Sequence, residues 1–397
     1  MSTMETEDVP RPAALLEPSL EIPTRSLLGS GPSNCPPSVY QASAWPLVGF
    51  MSAECFRVMD DIKLGLQYAF QTRNELTLAI SASGHGGMET CLGNLLERGD
   101  VALITQIGIW GERAADMATR YGADVKKLTK AAGEVVSLAE VEAALSRHRP
   151  TLLFVTHGDS STGTLQPISE LGPLCHRYNC LLVVDAVASL GGAPLFADRW
   201  ELDAVYTGSQ KVLGAPPGLA PVTFSPRARA KIAARRTPPP VFYFDLNLIG
   251  NYWGCDDQPR KYHHTIPISM LYTLREALVV LARDGLTNSW RRHSDSTRQL
   301  YEGVGALGFS CFVQRPELRL PTICALVPPA NVSIPSVLQH ALQRNQVEIA
   351  GGLGPTAGRV IRIGLMGQNA TQEKAELALR VLREALEAQG ALDTAKL

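Results

Sequence analysis

This chain lacks an excess of charge of either sign: 37 lysines and arginines stand against 38 aspartates and glutamates in 397 residues, a formal net charge of −1. That balance excludes a general electrostatic attraction to nucleic acid or to an acidic membrane surface. Long hydrophobic runs are missing as well, since none approaches the ~20 residues of a bilayer span. The cysteines, eight in all, lack a framework spacing and read as reduced thiols in an intracellular compartment. Only Cys175, His176 and Cys180 gather in a way that suggests metal ligands. No second ligand pair lies at a suitable spacing, so the reading is a helix end and a strand start, with no metal.

What is present is a long chain of ordinary globular composition, 45% hydrophobic and 19% charged, which suits a soluble protein with a large buried sheet. The length predicts two domains. The first 25 residues carry four prolines and an acidic start at Glu5, Glu7 and Asp8, so residues 1–25 read as an extended arm of the kind that can lie on another subunit. Their acidity argues against a mitochondrial presequence. A large unit is expected over 26–284 and a smaller α+β unit over 285–397.

From Leu76 apolar strands and amphipathic helices alternate. LTLAISAS (76–83) reads as a buried strand and residues 84–100 as a turn and helix with Met88, Cys91, Leu92, Leu95 and Leu96 on one face. The turn holds Gly84, His85 and Gly86, whose backbone N–H groups could cradle an anion, although a Gly-rich turn is as often structural. A second strand, 101–105, leads to Trp110, placed to stack on an aromatic cofactor or to fill core space. Ser137 and Glu140 form a capping box. A third strand, 151–158, ends in the hydroxyl-rich loop 157–163, where Ser160 is the candidate ligand contact. Strand, helix, strand in this rhythm predicts an α/β fold with a mostly parallel seven-stranded sheet covered on both faces.

The stretch 181–218 organises the rest. Its apolar run Leu181–Val184 ends in Asp185, and it closes on Lys211 in a turn rich in glycine, serine and proline. A carboxylate at the carboxyl end of a buried strand points into the crevice where open sheets bind ligands, though it could equally cap a turn. A lysine among small residues is a candidate Schiff-base nucleophile, because desolvation frees its amine. Together they suggest pyridoxal phosphate, with the lysine binding the aldehyde and the aspartate serving the ring nitrogen. Farther on, residues 251–267 bring aromatics, charges and a histidine pair into an irregular segment. Arg362, on the strand 360–364, has the rigid mounting that a carboxylate clamp requires.

The ordered segments GSGPSNCPP, SGHGGME, GIWGERA, THGDSSTGTLQP, VVDAVASLGG, GSQKVLGAPPG, NYWGCDDQPRKYHHTIP and GGLGPTAGRVIRIGLMG resemble the alanine–glyoxylate (serine–pyruvate) aminotransferase branch of the class V, fold-type I pyridoxal phosphate enzymes. The resemblance runs from about Leu27 to Met366. It implies that Lys211 binds the cofactor covalently and moves the proton, that Asp185 bonds the pyridine nitrogen, and that Val187 and Trp110 flank the ring. Ser160 would contact the ring hydroxyl region; Gly84, His85 and Gln210 would hold the phosphate, joined by Tyr262 and Thr265 from a neighbouring subunit. Arg362 would take the substrate carboxylate, with Ser160 and Gly31 beside it. A homodimer follows from that crossing. Ser30 departs from the proline of many relatives and puts the local backbone at the substrate entrance in question.

The resemblance also implies transfer of an amino group from L-alanine to glyoxylate, with serine and pyruvate as a second pair. A 3-hydroxykynurenine transaminase is the nearest alternative; the HTIP run after Lys261-Tyr262-His263, NSWRRH at 288–293 and LMGQNAT at 365–371 favour the alanine–glyoxylate branch. A cysteine desulfurase would place histidine before the lysine, where this chain has Gln210, and would need a reactive loop cysteine. A non-catalytic relative is disfavoured by the intact Lys211, Asp185 and Arg362. The C-terminal Ala395-Lys396-Leu397 is similar to a peroxisomal address, which implies an import receptor as partner and the peroxisome as destination.

Overall fold

The computed structural model describes Pro12 and residues 20–392. Helix α1 (Ala53–Phe70) opens at Ser52, whose side chain accepts the Cys55 N–H, and buries Cys55, Met59, Ile62 and Leu66 on one face. The sequence reading begins its alternation only at Leu76 and passes over this helix.

Seven strands then build the main sheet: β1 (Leu76–Ile80), β2 (Val101–Gln106), β3 (Asp124–Thr129), β4 (Leu152–Thr156), β5 (Leu181–Asp185), β6 (Ala204–Tyr206) and β7 (Ala220–Phe224). Their order is β1-β7-β6-β5-β4-β2-β3, parallel throughout except for β7, which runs antiparallel between β1 and β6. The runs LTLAI, LLFVT, LLVVD and APVTF are buried at every position, as strands covered on both faces must be. β3, with the sequence DVKKLT, is the exception at the sheet edge, and its lysines keep that edge polar. Lacking an apolar run, it is not recognised as a strand from the sequence.

The crossovers include α2 (Gly84–Leu95), α3 (Ile109–Arg120), α4 (Leu138–His148) and α5 (Leu171–Arg177). The expected capping box at α4 is present, with the Ser137 side chain accepting from Glu140 N and Glu140 returning the bond. The first strand is shorter than 76–83, and α2 ends at Leu95 rather than near 100, so Leu96 is buried as the extended residue that caps the helix. α6 (Ile268–Asp284) lies against α1 so closely that a Cβ on Gly65 would come within 2.9 Å of Leu278 Cβ.

A second apolar core gathers Leu300, Val304, Leu326, Ile363, Val381 and Leu382. It is built by α7 (Leu286–Ala306), α8 (Ile334–Asn345) and α9 (Gln372–Glu387) on an antiparallel sheet of β8 (Ser310–Cys311), β9 (Ile323–Val327), β10 (Ala350–Gly351) and β11 (Ile361–Gly364). Its order is β8-β9-β11-β10, which makes β11 an interior strand. Ser26 and Leu27 pair in parallel with Val347 and Glu348, tying the early chain to this second unit. No helix among the described residues is long and apolar enough to cross a membrane.

Candidate active site

The parallel strands deliver side chains to one crevice from their carboxyl ends, because they all point the same way and each crossover loop leaves from that end. β1 runs into Ser83 and Gly84, the loop after β2 into Trp110, β4 into the small hairpin that carries Ser160, β5 ends at Asp185, and β6 leads to Gln210 and Lys211. Gly84, His85, Trp110, Ser160, Asp185, Val187, Gln210 and Lys211 line one cavity, together with Met88 and Tyr206. No cysteine is among its lining residues.

The lysine turn is held from two sides. Ser209 Oγ donates to the Pro216 carbonyl at 2.6 Å and Ala215 N to the Ser209 carbonyl at 3.0 Å, which closes the turn on itself. Ser33 then fastens it to the early chain, its N–H donating to Gln210 O and its hydroxyl to Lys211 O at 2.7 Å. Lys211 Nζ donates to the Ser30 carbonyl. Burial and the nearby Arg362 guanidinium push the Lys211 ammonium down to about 8, with Asp185 opposing. A usable fraction of the amine is therefore neutral near physiological pH.

Asp185 is deeply buried and accepts the Val187 N–H at 2.9 Å. Burial pushes its carboxyl up to about 7, and the Val187 N–H and the Tyr206 hydroxyl only partly offset this. Tyr206, opposite Asp185 in the parallel register, brings its buried hydroxyl near that carboxylate, where it eases the charge without reaching full hydrogen-bond geometry. Such a carboxylate is under-compensated, and a cationic ring N–H in the cavity would supply the missing partner.

At the other end of the cavity, the N–H groups of Gly86 and Gly87 donate back to Ser83 O, while Gly84 and His85 open the first turn of α2. That helix end is a natural phosphate cradle. A Cβ on Gly84 would approach Val187 Cγ2 to 3.3 Å, so the glycine lets Val187 lie close against the cradle. Among the described residues the buried Oε1 of Gln210 has no hydrogen-bond partner in the same space. Trp110 is fixed by donating Nε1 to Ser160 Oγ at 2.9 Å.

Arg113 is a residue the sequence reading does not single out. It sits 2.5 Å from His85 Nε2 through Nη1, and its guanidinium lies 5.1 Å from the Trp110 ring centroid. Arginine can only donate, so His85 Nε2 accepts and the ring proton is on Nδ1. Burial first, and Arg113 second, push the His85 imidazole below its ordinary value. The spacing Trp110-x-x-Arg113, one helical turn, was the available signal.

Arg362 is buried on the interior strand β11, between Ala325 and Ala350. It donates Nε to Gly351 O at 2.7 Å and Nη1 to the Ser160 carbonyl at 2.8 Å, two neutral acceptors that orient the fork without discharging it. Gly31, the other substrate-side candidate, touches Lys211 directly. Tyr262 and Thr265 are not brought to this cavity. They pair with each other, Tyr262 Oη to Thr265 Oγ1 at 3.1 Å, on an exposed loop of the same chain.

The residues present fit pyridoxal 5′-phosphate: a helix N-terminus for its phosphate, an under-compensated carboxylate for its ring nitrogen, a part-neutral lysine for its aldehyde, and Trp110 with Val187 for its faces. The fold and this cavity define a fold-type I pyridoxal phosphate enzyme. Residues 40–377 match the class-V aminotransferases, and the chain belongs to that family.

Among known proteins, the chain is 52% identical to the alanine–glyoxylate aminotransferase of Callithrix jacchus, over 95% of this chain and 91% of that one. It is 50% identical to the enzyme of the same name from Rattus norvegicus, over 96% and 91%. The crystal structure of an alanine–glyoxylate aminotransferase from Nostoc sp. superposes with a TM-score of 0.93 at 43% identity, covering 96% of this chain and all of that one.

Proposed function

We propose that the protein transfers the amino group of L-alanine to glyoxylate, yielding pyruvate and glycine, and uses serine and pyruvate as a second pair. The observation that carries this reading is identity of about half the residues, over 95% of the chain, to enzymes named for that reaction. The cavity supports it in each of its parts. When bound, pyridoxal phosphate supplies the electron sink that makes a substrate Cα–H acidic. Asp185 holds a proton at the ring nitrogen, which its own under-compensated charge favours. Arg362 binds the substrate carboxylate, its fork already oriented by Ser160 O and Gly351 O. Lys211, with its depressed proton affinity, would take the proton from Cα and hand it to the aldehyde-derived carbon of the cofactor, and make the opposite transfer for the second keto acid.

The working unit in this proposal is a homodimer. Supporting it, the half-exposed Phe50 and Tyr262 rings pack in a tilted pair with centroids 4.9 Å apart, and Trp45, Leu47 and Phe242 are also exposed. Tyr262 and Thr265 present their hydroxyls there and not to their own cavity, which suits service to a neighbour's phosphate. Import into peroxisomes through Ala395-Lys396-Leu397 is part of the same reading, although these residues, like most of the arm 1–25, lie outside the described residues. A fluorescent fusion with and without the last three residues tests it, and unchanged localisation would reject it.

The deciding test is a half-reaction. The loaded protein is mixed separately with L-alanine, L-serine and 3-hydroxykynurenine while the cofactor's visible absorption is followed, and glyoxylate is then added. Bleaching by alanine that glyoxylate reverses is expected. Bleaching by 3-hydroxykynurenine alone would move the protein to that substrate.

A further inference from the structure

The loop that carries Tyr262 and Thr265 also carries two adjacent imidazoles whose hydrogen bonds can be followed atom by atom. His263 Nε2 lies 3.2 Å from the Phe242 carbonyl oxygen. A carbonyl accepts, so this nitrogen bears the proton. His263 Nδ1 lies 2.8 Å from His264 Nδ1. One of those two atoms must be bare for the contact to exist, so the pair carries at most one extra proton. In the neutral pair His263 Nδ1 is the acceptor and His264 Nδ1 the donor. His264 Nε2 is then left to accept, and its 2.8 Å contact with Ser81 Oγ must be a bond donated by the hydroxyl. The chain of donors therefore runs from Ser81 through His264 and His263 to Phe242.

Aromatic rings enclose the pair. Phe242 stacks on His263 with centroids 4.9 Å apart, and Tyr243 and Tyr252 lie 4.9 and 6.1 Å from His264. Among the described residues neither imidazole makes a salt bridge with a carboxylate, and burial, then His263, push His264 down to about 4. The chain of donors runs between two segments that bear on the phosphate. Ser81 stands three residues before Gly84, at the lip of the phosphate turn, and Tyr262 and Thr265 flank the pair directly.

We propose that His263 and His264 form a latch: they pin the loop bearing Tyr262 and Thr265 to the lip of this chain's own phosphate turn, and so position those hydroxyls for the cofactor phosphate of a second copy of the chain. This rests on the dimer reading above. The loop that serves one site is thereby fastened to the turn that forms the other, which joins the two cofactor sites through Ser81 and His264. These histidines are positioning residues and touch neither cofactor nor substrate.

The readout is discrimination between pyridoxal 5′-phosphate and pyridoxal, which differ only in the phosphate. Equilibrium dialysis against apo-protein gives both affinities for wild type, His264→Leu and His264→Gln. His264→Leu is expected to weaken pyridoxal 5′-phosphate about tenfold, the scale of one lost positioning hydrogen bond, and to leave pyridoxal unchanged. His264→Gln, whose amide offers one donor and one acceptor to the same neighbours, is expected to restore most of the loss. If the leucine variant does not fold, His263→Phe keeps the stack on Phe242 and removes the relay, with the same expectation. A dimeric variant that retains the full phosphate preference, or that loses both ligands equally, overturns the latch. A wild-type chain that sediments as a monomer overturns the dimer reading first, and the latch with it.

Discussion

A Cβ built on Gly31 would lie 2.8 Å from Lys211 Cε, and the glycine holds φ at +106°. That conformation is unfavourable for any side chain, and the one available direction is taken by the lysine. Gly31→Ala is expected to lower kcat at least about tenfold, consistent with ~1–3 kcal/mol of imposed strain at the site. Steady-state kinetics beside an unchanged far-UV circular dichroism spectrum checks it. Wild-type kcat would show that the lysine has freedom the structure does not grant it.

The depressed ammonium of Lys211 sets a pH dependence on cofactor capture. Only the neutral amine attacks an aldehyde, and its conjugate acid has been pushed down to about 8. The rate at which apo-protein captures pyridoxal phosphate should rise roughly tenfold per pH unit below that value and level off above it. Stopped-flow absorbance across the range gives the profile. A rise that continues to the ordinary lysine range would contradict the burial argument.

Among the described residues Asp185 has no cationic partner apart from the lysine across the cavity. Asp185→Asn removes the charge that keeps a proton on the ring nitrogen while preserving shape. The expected loss in kcat is roughly 10²–10⁴-fold, corresponding to ~3–5 kcal/mol for breaking a buried charge pair. Retained cofactor with nearly full activity would show that the ring proton is held by something else.

His293 is buried and fastens α7 to the turn after β11. Its Nε2 accepts the Gly367 N–H at 3.0 Å, so Nδ1 bears the proton and donates to Ser289 O at 2.7 Å. Burial pushes this imidazole down to about 4, with its bond to Ser289 opposing. The folded value lies below the ordinary one near 6.5, so the unfolded chain takes up the proton first. Its contribution to stability is complete above about 6.5 and is lost as pH falls toward 4. His293→Leu should cost about 1–3 kcal/mol at neutral pH and flatten the acid limb of the stability curve. Urea midpoints at pH 7.5 and 5.0 for both proteins measure this, and an unchanged difference between the two pH values would count against it.

Much of the site was legible because its residues sit where strands end. Asp185 closes an unbroken apolar run, Lys211 follows the next strand, and Arg362 lies inside the short strand Ile361–Gly364, so each could be placed on its element from hydrophobic pattern and turn residues. The elements passed over have local reasons. β3 is a charged edge strand with no apolar run, whereas α1 carried a readable signal in Ser52 followed by Cys55, Met59, Ile62 and Leu66.

What the sequence determined by itself was the chemistry on offer: the types of side chain, the strand-to-helix turns that carry them, and the family those turns resemble. The tertiary structure alone decided which groups meet. Lys211 bonds to Ser30 across 181 residues, Arg362 to Ser160 across 202, and His264 to Ser81 across 183. Arg113 reaches His85 only because α2 and α3 pack side by side. Hydrophobic periodicity fixes which face of an element is buried, but it carries no record of which distant element comes to lie against that face. Those pairings follow from the order in which the crossovers stack strands in the sheet, and from the directions in which donors find acceptors once water has been removed.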